Sequence, residues 1–91
     1  MHPQEDEVIR VSASTSPPNL GAAIAHACYE GRPPILRAIG AGAVNQAVKG
    51  VAIATQYTAG RALRLTVMLG FDNVTDGEKT VSAVIFKLLL D

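Results

Sequence analysis

Apolar and polar side chains change their spacing several times along the chain, and each change predicts a new element. Val8–Ala13 alternates between two faces, which is typical of a strand. Ser16 follows as a candidate N-cap, with Pro17 in the first helical position. The next apolar side chains recur at intervals of three and four, as on one face of a helix. These side chains are Leu20, Ala23, Ile24, Ala27 and Cys28.

A second strand and a long helix follow. Pro33–Ile39 predicts the strand, and Ala43–Tyr57 predicts the helix. Gly50 inside this helix costs roughly 1 kcal/mol relative to alanine, which predicts a close approach of the backbone to another element. The predicted inner stripe of the helix consists of Val44, Ala47, Val48, Val51 and Thr55.

The last third of the chain predicts a hairpin. Leu63–Val74 and Lys79–Leu90 alternate, and Asp76-Gly77 between them is typical of a two-residue turn. The predicted fold is therefore α+β with the order β-α-β-α-β-β, in which two helices cover one face of a mixed four-stranded sheet. The first two strands are expected to be parallel, joined by a right-handed crossover.

Both faces of the hairpin strands carry apolar side chains. Leu63, Leu65, Val67 and Leu69 are assigned to one face, and Met68, Val84 and Phe86 to the other. The uncovered face of a two-layer domain would be polar in a monomer, so this pattern predicts self-association. The composition also favours self-association, because 48% of the residues are hydrophobic and only 18% are charged.

Length and composition limit the domain count and the location. Ninety-one residues make one domain, predicted over residues 8–91 after a disordered acidic tail at 1–7. A single cysteine excludes an internal disulfide. No secretory segment is recognised, and no apolar run reaches the ~20 residues that span a bilayer, so a cytoplasmic protein without membrane contact is expected.

The overall charge does not favour duplex DNA. Eight basic and eight acidic residues give a formal net charge of zero, whereas duplex binders usually carry a basic excess. The stretch from Arg10 to Arg64 is nevertheless locally basic, with six basic residues against Glu30 alone.

The glycine-rich junction at Ile39–Lys49 is the most informative segment. Gly40 and Gly42 lie between a predicted strand and a predicted helix, where exposed backbone N–H groups and the helix dipole favour an anion. A tight turn that merely needs positive φ is the alternative interpretation. The spacing matches neither a Walker loop nor the G-x-G-x-x-G motif.

No catalytic or metal-binding set is predicted. His26 and Cys28 stand two apart in a helix and do not face each other, and Cys28 has no evident activating base. Asp72, Asp76 and Glu78 cluster at the hairpin, where carboxylates usually serve solubility. A non-enzymatic protein without cofactor or metal is therefore expected.

Three stretches carry a family resemblance. VSASTSP at Val11–Pro17, AIGAGAVNQAVK at Ala38–Lys49 and VAIA at Val51–Ala54 together resemble the stage V sporulation protein S family. The likeness extends from Val8 to Leu88, and that family in turn is similar to the Alba family of archaeal chromatin proteins. It implies a dimeric or tetrameric nucleic-acid-binding protein with a regulatory role in sporulation or development.

The resemblance also implies which surface faces nucleic acid. Two departures weaken the phosphate contacts: Ser14-Thr15 stands where members of the family often carry a lysine, and the hairpin from Asp72 to Glu78 is acidic where Alba-like arms tend to be basic. Weak binding to DNA or RNA without sequence preference is therefore expected, and single-stranded RNA is at least as plausible as duplex DNA. The implied contacts are Ser14, Ser16, Arg37, Gly40, Gly42, Asn45, Gln46 and Lys49, flanked by Arg61 and Arg64.

Two other functions stay open from the sequence. A protein-interaction or assembly module that does not bind nucleic acid would explain the apolar excess and the acidic hairpin. A small phosphorylated ligand at Gly40–Gly42 is the third hypothesis.

Overall fold

The computed structural model describes residues 7–91. The predicted acidic tail therefore lies outside the described residues except for Glu7, whose carbonyl oxygen accepts a hydrogen bond from the Ile35 amide at 2.8 Å. The order β-α-β-α-β-β is confirmed. The elements are β1 Val8–Val11, α1 Pro17–Tyr29, β2 Ile35–Ala38, α2 Ala41–Ala59, β3 Leu65–Asp76 and β4 Lys79–Leu90. Within 7–91, neither helix is long and apolar enough to cross a membrane.

The sheet is mixed, with the strand order β1-β2-β4-β3. β1 and β2 are parallel, as predicted, whereas β4 runs antiparallel to both of its neighbours. β2 pairs with β4 only over Val84–Lys87, but β3 pairs with β4 along its whole length. The outer part of the hairpin, residues 72–83, therefore extends beyond β2 as a two-stranded ribbon, the hairpin arm.

The hairpin turn lies one residue later than predicted. Asp76 pairs with Lys79, so the two connecting residues are Gly77 and Glu78. Gly77 has a φ of 64°, and glycine is favoured at the first position of such a turn because it takes positive φ without strain.

The predicted inner stripe of α2 was right for Ala47, which is buried, and for Val44 and Val51, which pack against the core, but wrong for Val48 and Thr55, which are exposed. Val48 is 53% exposed. A Cβ on Gly50 would lie 2.5 Å from Leu20 of α1, which confirms the predicted close approach at this glycine. Leu20 occupies the space that a side chain at position 50 would fill. The buried residues of α2 are Ala43, Ala47, Gly50, Ala54 and Thr58.

Of the predicted faces of the hairpin, that of Leu65, Val67 and Leu69 opposite Met68 is confirmed, but the face assigned to Val84 and Phe86 was wrong. Leu69 pairs with Phe86 and Phe71 pairs with Val84, so Phe86 and Val84 lie on the same, helix-covered face as Leu65. The helices do not cover the outer strand β3 completely. An exposed apolar patch remains beside α2, formed by Val48, Val67, Leu69 and Phe71. The surplus apolar surface thus lies mainly on the helix side of β3.

Cys28 is buried in the core, as its place in the apolar stripe of α1 predicted. Burial raises the pKa of its thiol above the usual range, which disfavours the reactive thiolate. Among the described residues, no group of three His, Cys, Asp or Glu side chains could hold a metal ion.

Candidate nucleic-acid interface

Both helices begin at the same end of the sheet. β1 and β2 are parallel, so the loops that follow them lie together, and the antiparallel β4 places the β3–β4 turn at this end as well. We call this the loop end. It brings together the 12–16 loop, the glycine junction and the hairpin arm, which are far apart in sequence.

The glycine junction forms an open helix N-terminus. Gly40 is the N-cap of α2 with a φ of 92°, a conformation that L side chains rarely adopt, and it provides no side-chain cap. Its carbonyl oxygen accepts a hydrogen bond from the Val44 amide at 3.0 Å. Since the first amides of a helix have no intrahelical acceptor, those of α2 point outward at its positive end.

The 12–16 loop is held by its own hydroxyl groups. The Ser12 amide donates to Oγ1 of Thr15 at 2.8 Å, and the Ser14 amide donates to Oγ of Ser12 at 3.2 Å. Oγ of Ser16 accepts from the Asn19 amide at 3.3 Å, which confirms Ser16 as the N-cap of α1. The side chain of Ser14 lies on the exposed surface of this loop.

The loop and α2 are fixed to each other. Nε2 of Gln46 donates to the carbonyl oxygen of Thr15 at 2.9 Å in a partly buried hydrogen bond. A Cβ on Gly42 would lie 2.9 Å from the Cβ of Ala13, so glycine permits this contact. The predicted contacts did not include Ala13 or Thr15. The glycine at position 42 was the available signal, because it marks a close approach.

The cations of the predicted surface separate in the structure. Lys49 is exposed on α2, about 12 Å along the axis from the first helical residue. Arg37 lies on the opposite, uncovered face of the sheet, with its Nη2 3.8 Å from Oδ2 of Asp72. Of the predicted contacts, those that lie at the loop end are Ser14, Ser16, Gly40, Gly42, Asn45, Gln46 and Lys49.

Arg61 and Arg64 do not flank this surface. Both follow the C-terminus of α2, which lies roughly 28 Å along the helix axis from its start. The Arg61 guanidinium stacks 3.8 Å from the ring centroid of Tyr29, and Nη1 of Arg64 lies 3.7 Å from Oδ2 of Asp91. These contacts tie together elements at the far end of the molecule.

The loop end is polar but only weakly basic. Asn45 and Lys49 are exposed on α2, whereas the hairpin arm presents the exposed acids Asp72 and Glu78. Within residues 7–91, Lys49 forms no ion pair. This surface can donate hydrogen bonds from backbone amides, hydroxyl groups and one ammonium group.

A comparison with protein families identifies the chain's relatives. The model of the Stage V sporulation protein S (SpoVS) family matches residues 7–91. The match includes every segment of the loop end and confirms the resemblance seen in the sequence. The chain belongs to the Stage V sporulation protein S family.

Proposed function

We propose that this member of the family is a non-enzymatic nucleic-acid-binding protein with a regulatory role in sporulation or development. Nucleic acid lies across the loop end, with phosphates at the N-terminus of α2. Lys49 provides a positive charge, and Ser14 and Asn45 provide neutral hydrogen-bonding groups.

The uncapped N-terminus of α2 is the observation that carries this proposal. Gly40 has no side chain, and nothing lies within 4 Å of the position that its Cβ would occupy. A phosphate oxygen can therefore approach the first amides of the helix, where the dipole favours a negative charge. Gln46 and Gly42 keep the 12–16 loop beside these amides.

The charge of the surface supports weak binding without sequence preference. Counterion release from phosphate contacts provides most of the affinity of non-specific binders, and the loop end offers few cations for it. Asp72 and Glu78 repel phosphates along the hairpin arm. Contacts to the backbone also carry no direct sequence information.

Binding of a single-stranded RNA, a single-stranded DNA and a duplex DNA at several salt concentrations tests the proposal. Affinity should fall as salt rises from about 50 to about 200 mM, and Lys49→Ala should reduce the slope of log K against log salt by about 0.7 for a single strand. Arg32→Gln is the matched control, because Arg32 is exposed in the α1–β2 loop and pairs with Glu30. An affinity independent of salt would contradict the proposal.

The apolar patch favours a second candidate function. Leu69 and Phe71 are 65% and 82% exposed, which is unusual for side chains of this size. An assembly module would use this patch for a protein partner without any role for nucleic acid. Absence of binding to all three nucleic acids would favour it.

In the proposed protein, a second copy of the chain covers the apolar patch. The patch contains no charged residue. Because the net charge of the chain is zero, two copies do not repel each other through their overall charge. Pairing identical patches around a two-fold axis is the commonest route to a closed oligomer. The protein is therefore a homodimer, or a tetramer if dimers pair further.

A further inference from the structure

The face of the sheet that the helices leave uncovered carries a group of cations around β2, namely Arg10, Arg37 and Lys87. Arg10 of β1 and Arg37 of β2 are direct neighbours in the parallel register, and alternation places both on this open face. Lys87 of β4 pairs with Ile35, two residues before Arg37, so it lies on the open face as well. The loop-end site does not use these side chains.

An anion beside the two arginines would be stabilising. Neighbouring strands are only about 4.8 Å apart, and like charges at directly opposite positions repel each other. Nε of Arg37 is buried and has no hydrogen-bond partner among the described residues. The Asp72 carboxylate, at 3.8 Å from Nη2, is too far for a hydrogen bond.

We propose that the open face is a second phosphate-binding surface, formed by Arg10, Arg37 and Lys87, for the backbone of a nucleic acid. A phosphate near both guanidinium groups relieves their repulsion and accepts hydrogen bonds from N–H groups other than the buried Nε of Arg37. This inference rests on the proposed function and adds a surface that faces away from α2.

The open face contacts backbone phosphates and does not stack bases. Both tyrosines lie on the helices, and the register places both phenylalanines on the helix side of the sheet. Stacking on aromatic side chains is the usual way to hold unpaired bases, so this face lacks the means for it. With surfaces on two sides, one molecule can hold two segments of nucleic acid or guide one strand around its edge.

The test uses fluorescence anisotropy of a labelled 20-nucleotide oligothymidylate between about 50 and 200 mM salt. Arg10→Gln and Lys87→Gln should each lower the slope of log K against log salt by about 0.7, whereas Arg10→Lys should restore it. Arg32→Gln removes the same charge from the α1–β2 loop and should leave the slope unchanged. Asp72→Asn removes the carboxylate beside Arg37 and should raise the affinity.

The outcomes separate this inference from the proposed function. If Lys49→Ala lowers the slope and the open-face variants do not, the open face is not a binding surface and the loop-end site stands. Equal losses in every variant, Arg32→Gln included, would mean that binding follows net charge alone, and this also overturns the inference. If the unsubstituted protein binds no oligonucleotide, both proposals fail.

Discussion

At the scale of single residues, Gln46 has a different role from the one its sequence motif implies. The family resemblance implies a nucleic-acid contact, but the side-chain amide is engaged with Thr15. Asn45, its neighbour, remains exposed. Gln46 is therefore a positioning residue, which holds the 12–16 loop beside the N-terminus of α2, whereas Asn45 is exposed and donates from its Nδ2 to Oε1 of Gln46 at 3.2 Å.

A pair of substitutions with equal charge tests this division of roles. Gln46→Glu replaces the donor with a carboxylate that repels the Thr15 carbonyl, so amide hydrogens of Ser14 and Thr15 should exchange about tenfold faster. Gln56→Glu introduces the same charge at an exposed position of the same helix, far from this contact. Faster exchange in both variants, or in neither, would contradict a positioning role for Gln46.

At the scale of elements, the two helices interlock through reciprocal glycines. Gly21 of α1 accommodates Ile53 of α2, and Gly50 of α2 accommodates Leu20 of α1. A methyl group at either glycine would overlap the opposing side chain. The close packing of the helices therefore depends on the absence of a side chain at two positions.

Gly50→Ala should destabilise the fold, although alanine is the better helix former. The gain of roughly 1 kcal/mol in helix propensity is outweighed by overpacking against Leu20, and a net loss of about 1–2 kcal/mol is expected. Urea unfolding measures this change in the free energy of unfolding. Gly70→Ala adds the same methyl group to β3, where nothing lies within 4 Å, and should not lower the free energy of unfolding. A stabilising Gly50→Ala would show that the helices can separate slightly at little cost.

The elements and their order could be predicted from the sequence because each follows from a local pattern. The changes between spacings of two and of three to four residues revealed all six. The inner face of α2 was predicted only in part, because hydrophobicity favoured Val48, whereas the structure buries the smaller Ala54 and Thr58. The face of Phe86, by contrast, could have been predicted, because a two-residue turn at either position places Phe86 opposite Val67 or Leu69, and directly opposite side chains share a face.

The candidate site was predictable only in part for a similar reason. Gly40 and Lys49 follow from one motif, but the contact between Gln46 and Thr15 joins residues 31 apart. The positions of Arg61 and Arg64, by contrast, could have been predicted. The predicted length of α2 already implied that these residues lie at the end of the helix far from the glycine junction.

At the scale of the whole molecule, the two layers present different surfaces. The helix side carries the apolar patch, the open face carries Arg10, Arg37 and Lys87, and the loop end lies between them. A dimer formed through the apolar patch would leave the other two surfaces accessible in each copy.

Leu69→Glu should convert the protein to a monomer, because association would bury a carboxylate in an apolar contact. Light scattering coupled to size-exclusion chromatography measures the mass. Met68→Glu is the matched control, since Met68 is the adjacent residue, is also exposed and lies on the opposite face of β3. A monomeric unsubstituted protein, or a Leu69→Glu variant of unchanged mass, would exclude this interface.

The hairpin arm has a mechanical consequence. Over residues 72–83 the two strands pair only with each other, and a ribbon of two strands is marginally stable and strongly twisted. The side chains of Thr75 and Thr80, and of Asn73 and Ser82, form hydrogen bonds across it at 3.4 Å. If nucleic acid lies across the loop end as proposed, ordering the arm costs conformational entropy, and the stiffness of the arm sets how large that cost is. In such a complex, substitutions at these cross-strand pairs would alter the affinity even where the substituted side chains do not touch the nucleic acid.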